Sequence, residues 1–258
     1  MEQWNHVHTL CAILFPWLHD SKVAIARFLR IGGSGETVKA LKKIIIYMGL
    51  FIAVNFLVVG INILQNGSGE WDGRSVEQIL GVKAENATAD DIDKLSKSDV
   101  MQVFFATDAP SFAEMNGEYR ARLVSAGILY KCNEFYAHHL MGPGHWKAKC
   151  FSPFEKNRGQ GYNLFIAKES GKEKAVRTLR MDTFNGKSNF DNKGSFHLVY
   201  EAYNTDQNRS MRDEIRKIND KLYIGLGYLT WNLGTYNPSP FVLYGEPWKW
   251  VGPDKDEK

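Results

Sequence analysis

The chain has 258 residues, 44% hydrophobic and 24% charged, with 8 Pro. This excludes collagen-like, mucin-like and wholly disordered chains and leaves room for one medium β-type domain or two small ones. Its 32 basic and 29 acidic residues give a net charge of +3, without the basic excess of a nucleic-acid binder, so no nucleic-acid partner is expected.

The mean hydropathy of −0.33 conceals one very apolar segment. Ahead of it, Val7, Leu10, Cys11, Leu14, Phe15 and Leu18 recur at helical spacing, followed by Ile25, Phe28 and Leu29 beside Lys22, Arg27 and Arg30. Residues 1–43 therefore read as an amphipathic segment, lying on the cytoplasmic membrane face or packing on partner subunits.

Residues 44–64 run IIIYMGLFIAVNFLVVGINIL without a charged side chain. About 20 such residues in a helix cross a hydrocarbon core of roughly 30 Å, so a transmembrane helix is expected. The run starts too late and is too long for a cleavable signal peptide. Lys39, Lys42 and Lys43 precede it, whereas Glu70, Asp72 and Glu77 follow with Arg74 as the nearby cation. The positive-inside rule then places the N-terminus in the cytoplasm and the C-terminal domain outside it, in a periplasm or equivalent. Asn55, with the small residues Gly49 and Ala53, leaves room for a helix partner in the membrane.

Residues 65–113 read as a polar spacer followed by a capping helix over Ala89–Phe105, with Ile92, Leu95, Val100, Val103 and Phe104 broadly on one face. From residue 114 to 258 the period changes to two. Eight runs, Glu118–Val124, Trp146–Phe151, Tyr162–Ala167, Ala175–Phe184, Ser195–Tyr203, Met211–Ile218, Lys221–Thr230 and Pro240–Trp250, are separated by turn signals such as Ser170-Gly171 and Asn219-Asp220. The expected fold is mainly β, a closed up-and-down antiparallel barrel of about eight strands. Alternation places Tyr119, Ala121 and Leu123 on the buried face. It adds Trp146, Ala148 and Cys150, then Phe196, Leu198, Tyr200 and Ala202, then Leu222, Ile224, Leu226 and Tyr228. A barrel of this size either holds one small ligand or is packed solid.

Cys132 and Cys150 both fall beyond the membrane, as a disulfide pair or as two small core residues. His138, His139 and His145 cluster in a stretch that reads as loop, where adjacent histidines would point apart. Arg180, Asp182, Glu214 and Arg216 form a polar floor for a carboxylate or headgroup if they turn inward, or cross-strand ion pairs if outward. The segment Tyr236–Trp250 is dense in Pro and aromatics, fit to dock a partner or the bilayer headgroups, or to end the barrel as a last strand and plug. Nucleophile-elbow, Walker and zinc-site motifs do not occur, so no catalytic residue, metal or cofactor is assigned.

Gly117-Glu118-Tyr119 opening the first strand after a helix, the strand number, and the late charged strand Arg212-Asp213-Glu214-Ile215-Arg216 resemble the calycin superfamily, which includes the lipocalins. The resemblance covers about Glu114 to Trp250. Lipocalins usually have Trp where this chain has Tyr119, and the resemblance implies that a late Arg, here Arg216, packs across that ring. It also implies an apolar ligand inside the barrel. Tyr119, Trp146, Arg180, Asp182, Tyr200, Glu214, Arg216 and Tyr228 are the candidate ligand residues. The sequence thus points to a membrane-anchored extracytoplasmic barrel that binds a lipid or other apolar small molecule, or to a non-catalytic accessory subunit docking other membrane proteins through its helix and barrel. A barrel enzyme acting on a lipid-like substrate is a third class, with His138, His139, Asp182 or Glu214 as acid/base groups.

Overall fold

A computed structural model describes residues 35–67 and 69–254; the amphipathic segment expected upstream falls, up to residue 34, outside them. The chain divides into two compact units, Met1–Ile61 and Asn62–Lys258.

In the first unit runs most of helix α1 (Gly35–Leu64), whose stretch Leu41–Leu64 is long and apolar enough to cross a membrane, with most of its side chains exposed. Its 24 residues measure about 36 Å at the helical rise. Asn55 turns its amide back onto the carbonyl of Phe51, at 2.7 Å. That bond satisfies one of its donors without a second helix.

Among the described residues, the second unit holds four short α-helices, five single 3-10 turns and eight strands. Helix α2 (Val76–Leu80) begins in a capping box between Ser75 and Gln78 and ends at Gly81 in the left-handed region, φ 70°. Where the sequence suggested one helix over Ala89–Phe105, the chain forms α3 (Ala89–Asp93) and α4 (Lys97–Ala106). Ser96 causes the break: its hydroxyl accepts the Asp99 N–H at 3.1 Å and starts a new helix. Helix α5 (Tyr130–His139) joins the first two strands, so His138 and His139, expected in a loop, are helical, and His145 opens the next strand.

The strands are β1 (Gly117–Leu123), β2 (His145–Glu155), β3 (Arg158–Glu169), β4 (Lys172–Lys187), β5 (Gly194–Val199), β6 (Met211–Asn219), β7 (Leu222–Leu229) and β8 (Ser239–Trp248). They pair antiparallel in sequence order, and β8 closes on β1 to complete the barrel. Closure leaves no edge strand exposed to another chain.

Two cores lie on opposite sides of this sheet. Inside, Phe151 of β2 meets Phe196 of β5 at 5.2 Å between ring centroids, and Tyr119 of β1 meets Tyr223 of β7 at 5.6 Å. Both contacts join strands that are not neighbours, so the side chains point into the barrel. Met181, Leu198, Tyr200, Phe241 and Leu243 complete the filling. Gly225 is required there, because a Cβ would overlap the Phe241 ring. Outside, α4 lays Val100, Val103 and Phe104 over Leu222, Ile224, Leu226 and Val242. Each large apolar side chain so buried contributes about 1.5–3 kcal/mol.

The two cores correct the expected inner face. Phe196, Leu198 and Tyr200 do point inward, but Leu222, Ile224 and Leu226 point outward beneath α4, and Tyr223 takes the inner position. A strand buried on both faces carries no polar side to mark its phase. In β2 the alternation slips at Lys147, where Trp146 pairs with Phe165 and Ala148 with Leu164. This bulge turns Trp146, Lys149 and Phe151 inward and sends Ala148 and Cys150 out under Tyr162 and Trp250.

Candidate functional site

The middle of the barrel is polar. Lys149, 2% exposed, reaches across from β2 to donate to Asp213 Oδ2 at 2.7 Å and to the Tyr200 hydroxyl at 2.8 Å. Tyr200 in turn donates to Asp213 Oδ2 at 2.8 Å. Asn163 extends the network: its Oδ1 accepts from Trp146 Nε1 at 3.0 Å and its Nδ2 donates to Tyr200 at 3.1 Å. The ammonium lies 5.0–5.5 Å from the ring centroids of Trp146, Tyr200 and Phe241, an aromatic cage that a side chain of the protein already occupies. Burial drives the Tyr200 phenol far above its usual range, and the Asp213 charge adds to the shift, so it serves as a neutral donor.

Of the eight candidate residues, Tyr119, Trp146 and Tyr200 face this interior. Trp146 and Tyr200 meet through Asn163, whereas Tyr119 lies against Phe151 and Tyr223 and donates to the Glu114 carbonyl at 2.7 Å. The other five turn outward and form three separate groups. Glu214, fully buried, accepts the backbone and side-chain N–H groups of Asn189, each at 2.9 Å. The same amide donates to Tyr228 at 2.9 Å, whose phenol is pushed up to about 12 by burial and by the Glu214 charge. Arg180 lies 4.4 Å from the Tyr203 ring, and Tyr203 donates to Asp182 at 3.0 Å. Arg216 pairs with Asp191, donates to the Phe104 and Gly194 carbonyls and stacks on Phe104. It does not cross Tyr119. The inward polar floor is therefore not formed by Arg180, Asp182, Glu214 and Arg216; Lys149 and Asp213 supply the interior charge instead.

Helix α5 stacks His138 on His145 with ring centroids 3.9 Å apart, and His138 Nδ1 accepts the Trp146 N–H at 3.2 Å. Burial and the neighbouring His145 push His138 down to about 4, so the stacked pair is neutral near pH 7. The rings border an open groove of about 760 Å³ that Arg122, Tyr130, Glu134 and Trp146 also line. His139 turns away to lie against Phe135. Among the described residues, no group of three or more His, Cys, Asp or Glu is placed to hold a metal ion.

Cys132 and Cys150 are not joined to each other in a disulfide. Cys132 belongs to α5, while Cys150 is sealed in the outer cluster with Ala148, Tyr162 and Leu164. Burial and the nearby Glu118 carboxylate raise the Cys150 thiol far above its usual range, which keeps it unreactive.

A last polar cluster joins the end of the apolar run to the barrel. Asn66 Nδ2 donates to the Tyr236 carbonyl, and Gln65 Oε1 accepts the Ile128 N–H, both at 2.8 Å. Asn62 is fully buried; with its amide in the favoured flipped orientation it donates to the Ala126 carbonyl and accepts from Lys97 Nζ, each at 2.7 Å. Lys97 is 2% exposed, and burial lowers it from 10.5 to about 7. Below pH 7 the folded protein bears the whole cost of a buried ammonium. Between 7 and 10.5 the native amine is neutral while the unfolded one stays charged, so the cost shrinks as pH rises. Lys97→Met is expected to gain more stability at pH 6 than at pH 9, by about 2–3 kcal/mol, in urea titrations at the two pH values.

Sequence reasoning passed over Lys149, Asn163, Asn189 and Lys97. A lysine between Ala148 and Cys150 was the visible signal, masked by the bulge at Lys147.

No family model matches the chain, and neither does any curated protein. Among solved structures, a protein from Thermomonospora curvata aligns with 59% of this chain and 88% of that one, at 12% identity and a TM-score of 0.41. That likeness assigns neither family nor function.

Proposed function

We propose that this chain is a single-pass membrane protein whose calycin-like barrel is a solid docking module, a non-catalytic accessory subunit of a larger membrane assembly. The observation that carries the proposal is the filled interior. Aromatic and aliphatic side chains occupy the barrel from β1 round to β8, and the Lys149–Asp213 bridge crosses it where an apolar ligand would lie. A buried ion pair is a poor neighbour for a lipid chain, because displacing its partners strands charge. What the barrel offers other molecules is its outer surface.

Lys39, Lys42 and Lys43 before the apolar stretch, and Glu70, Asp72 and Glu77 after it, support a cytoplasmic N-terminus with the barrel outside, in a periplasm or equivalent. Arg74, the cation past the span, is already paired with Asp72 and Asp99.

Native mass spectrometry of the full chain from mild detergent tests the choice between docking and carriage. The expected result is the mass of the bare polypeptide, unchanged in pattern by Trp146→Ala. A lipid bound one to one, and lost on Trp146→Ala, would replace docking by carriage. Protease added outside spheroplasts is expected to digest the barrel and spare the N-terminal segment; protection of the barrel would reverse the orientation.

A further inference from the structure

The barrel has two ends. One carries the β2–β3, β4–β5 and β6–β7 turns. The other carries the connections β1–β2, β3–β4, β5–β6 and β7–β8. Asn62, Gln65 and Asn66, near the end of the apolar run and just past it, bond to two connections of this second end, at Ala126–Ile128 and at Tyr236. The same connections display large apolar side chains to solvent: Ile128 is 51% exposed, Trp231 55%, Leu233 46% and Tyr236 72%, and Leu64 beside them is 80% exposed.

Backbone geometry adds a separate observation. Leu233 has φ 63° and is followed by Gly234 at φ 55°. A left-handed leucine costs roughly 1–2 kcal/mol, and here it leaves Leu233 46% exposed. Strain at a bulky exposed residue marks a place where function fixes the conformation.

We propose that Ile128, Trp231, Leu233 and Tyr236 form a foot that enters the headgroup layer of the bilayer crossed by the apolar helix. The proposal rests on the span assigned above. Continuity of the chain selects the occupant: Leu64 ends the hydrocarbon-length stretch, and the backbones of Ile128 and Tyr236 are held by residues one and two positions further on. These side chains therefore lie at the depth where the chain leaves the lipid. Trp and Tyr favour that layer, with the ring among acyl carbons and the polar edge among headgroups. The foot also separates Tyr236 from the other aromatics of the C-terminal segment. Trp248 ends β8, a strand of ten residues and so about 33 Å long, at the far end of the barrel.

The test places the photoreactive residue p-benzoylphenylalanine at position 233, 236 or 154 of the full chain, reconstituted in phosphatidylcholine vesicles and irradiated. Phe154, 55% exposed near the β2–β3 turn, is the aqueous control. Lipid adducts several-fold more abundant at positions 233 and 236 than at 154 are the expected result. Equal yields at all three positions, or cross-links from 233 and 236 to protein instead of lipid, would overturn the foot. Alkaline carbonate extraction separates this failure from that of the span. A chain that stays with the vesicles without lipid adducts refutes the foot alone, whereas one that is stripped off refutes the span on which it rests.

Discussion

Removing either partner of the ion pair inside the barrel, by Lys149→Met or Asp213→Leu, is expected to destabilise the fold by about 3–5 kcal/mol, while removing both together is expected to cost far less or even to stabilise. In Lys149→Met, the Asp213 carboxylate keeps only the Tyr200 hydroxyl as a side-chain donor. In Asp213→Leu, the ammonium keeps Tyr200 and Asn163 and has no counter-charge in the network. Both charges are 3% exposed, so water does not restore the loss. The double replacement leaves an apolar interior in which Tyr200 still accepts from Asn163 at 3.1 Å. Urea titrations of the four proteins close the cycle. Additive single costs would show that the two residues do not act as a pair.

The same cycle bears on function. Under the docking role proposed above, a pair that only specifies the packing of the interior predicts that the double variant captures the same partners as the parent. Loss of the assembly in a stably folded double variant would show that the interior is read from outside the barrel.

The barrel was legible because antiparallel strands joined by short turns leave two local signals, period-two alternation and Gly- or Asn-bearing turns, and most of its strands carried at least one of them. The apolar helix was legible from length alone. The faces of the strands were harder. Alternation reports one buried face, and β7 has two, since α4 covers Leu222, Ile224 and Leu226; nothing within β7 shows that a helix more than a hundred residues earlier returns to it. The bulge at Lys147 inverted the phase of β2 in a single residue, so that Trp146 and Lys149, three apart, share the interior. The split at Ser96 was visible as an N-cap residue followed three positions later by Asp99, but the apolar spacing ran across it. Long-range pairs such as Lys149–Asp213 and Asn62–Lys97 join residues far apart in the sequence and have no local signature.

Arg216→Met is expected to have the second large effect, a loss of about 3–5 kcal/mol, with Arg216→Lys falling between it and the parent because an ammonium cannot reproduce the two parallel bonds of a guanidinium. Arg216 is fully buried on the outer face of β6 and makes bonds of 2.8 and 2.6 Å to the two oxygens of Asp191. It also donates to Phe104 O at 2.9 Å and Gly194 O at 3.1 Å. One side chain thus joins the β4–β5 connection, the end of α4 and β6, and its removal frees the helix that covers β7. Asp191→Ala should cost less, about 1–3 kcal/mol, since the guanidinium keeps both carbonyl acceptors. Burial would raise the Asp191 carboxyl, but the Arg216 hydrogen bonds outweigh it and hold the group below its usual range. The contribution of the pair is therefore present above about pH 4 and fades as pH falls through the lowered native value. Thermal melts at pH 7 and pH 3 check this: the gap between parent and Asp191→Ala should narrow at the lower pH. An unchanged gap would assign the effect to loop packing instead of charge. Tyr119, inside the barrel, has Tyr223 and Phe151 for neighbours, whereas Arg216 fastens a helix to the outer wall.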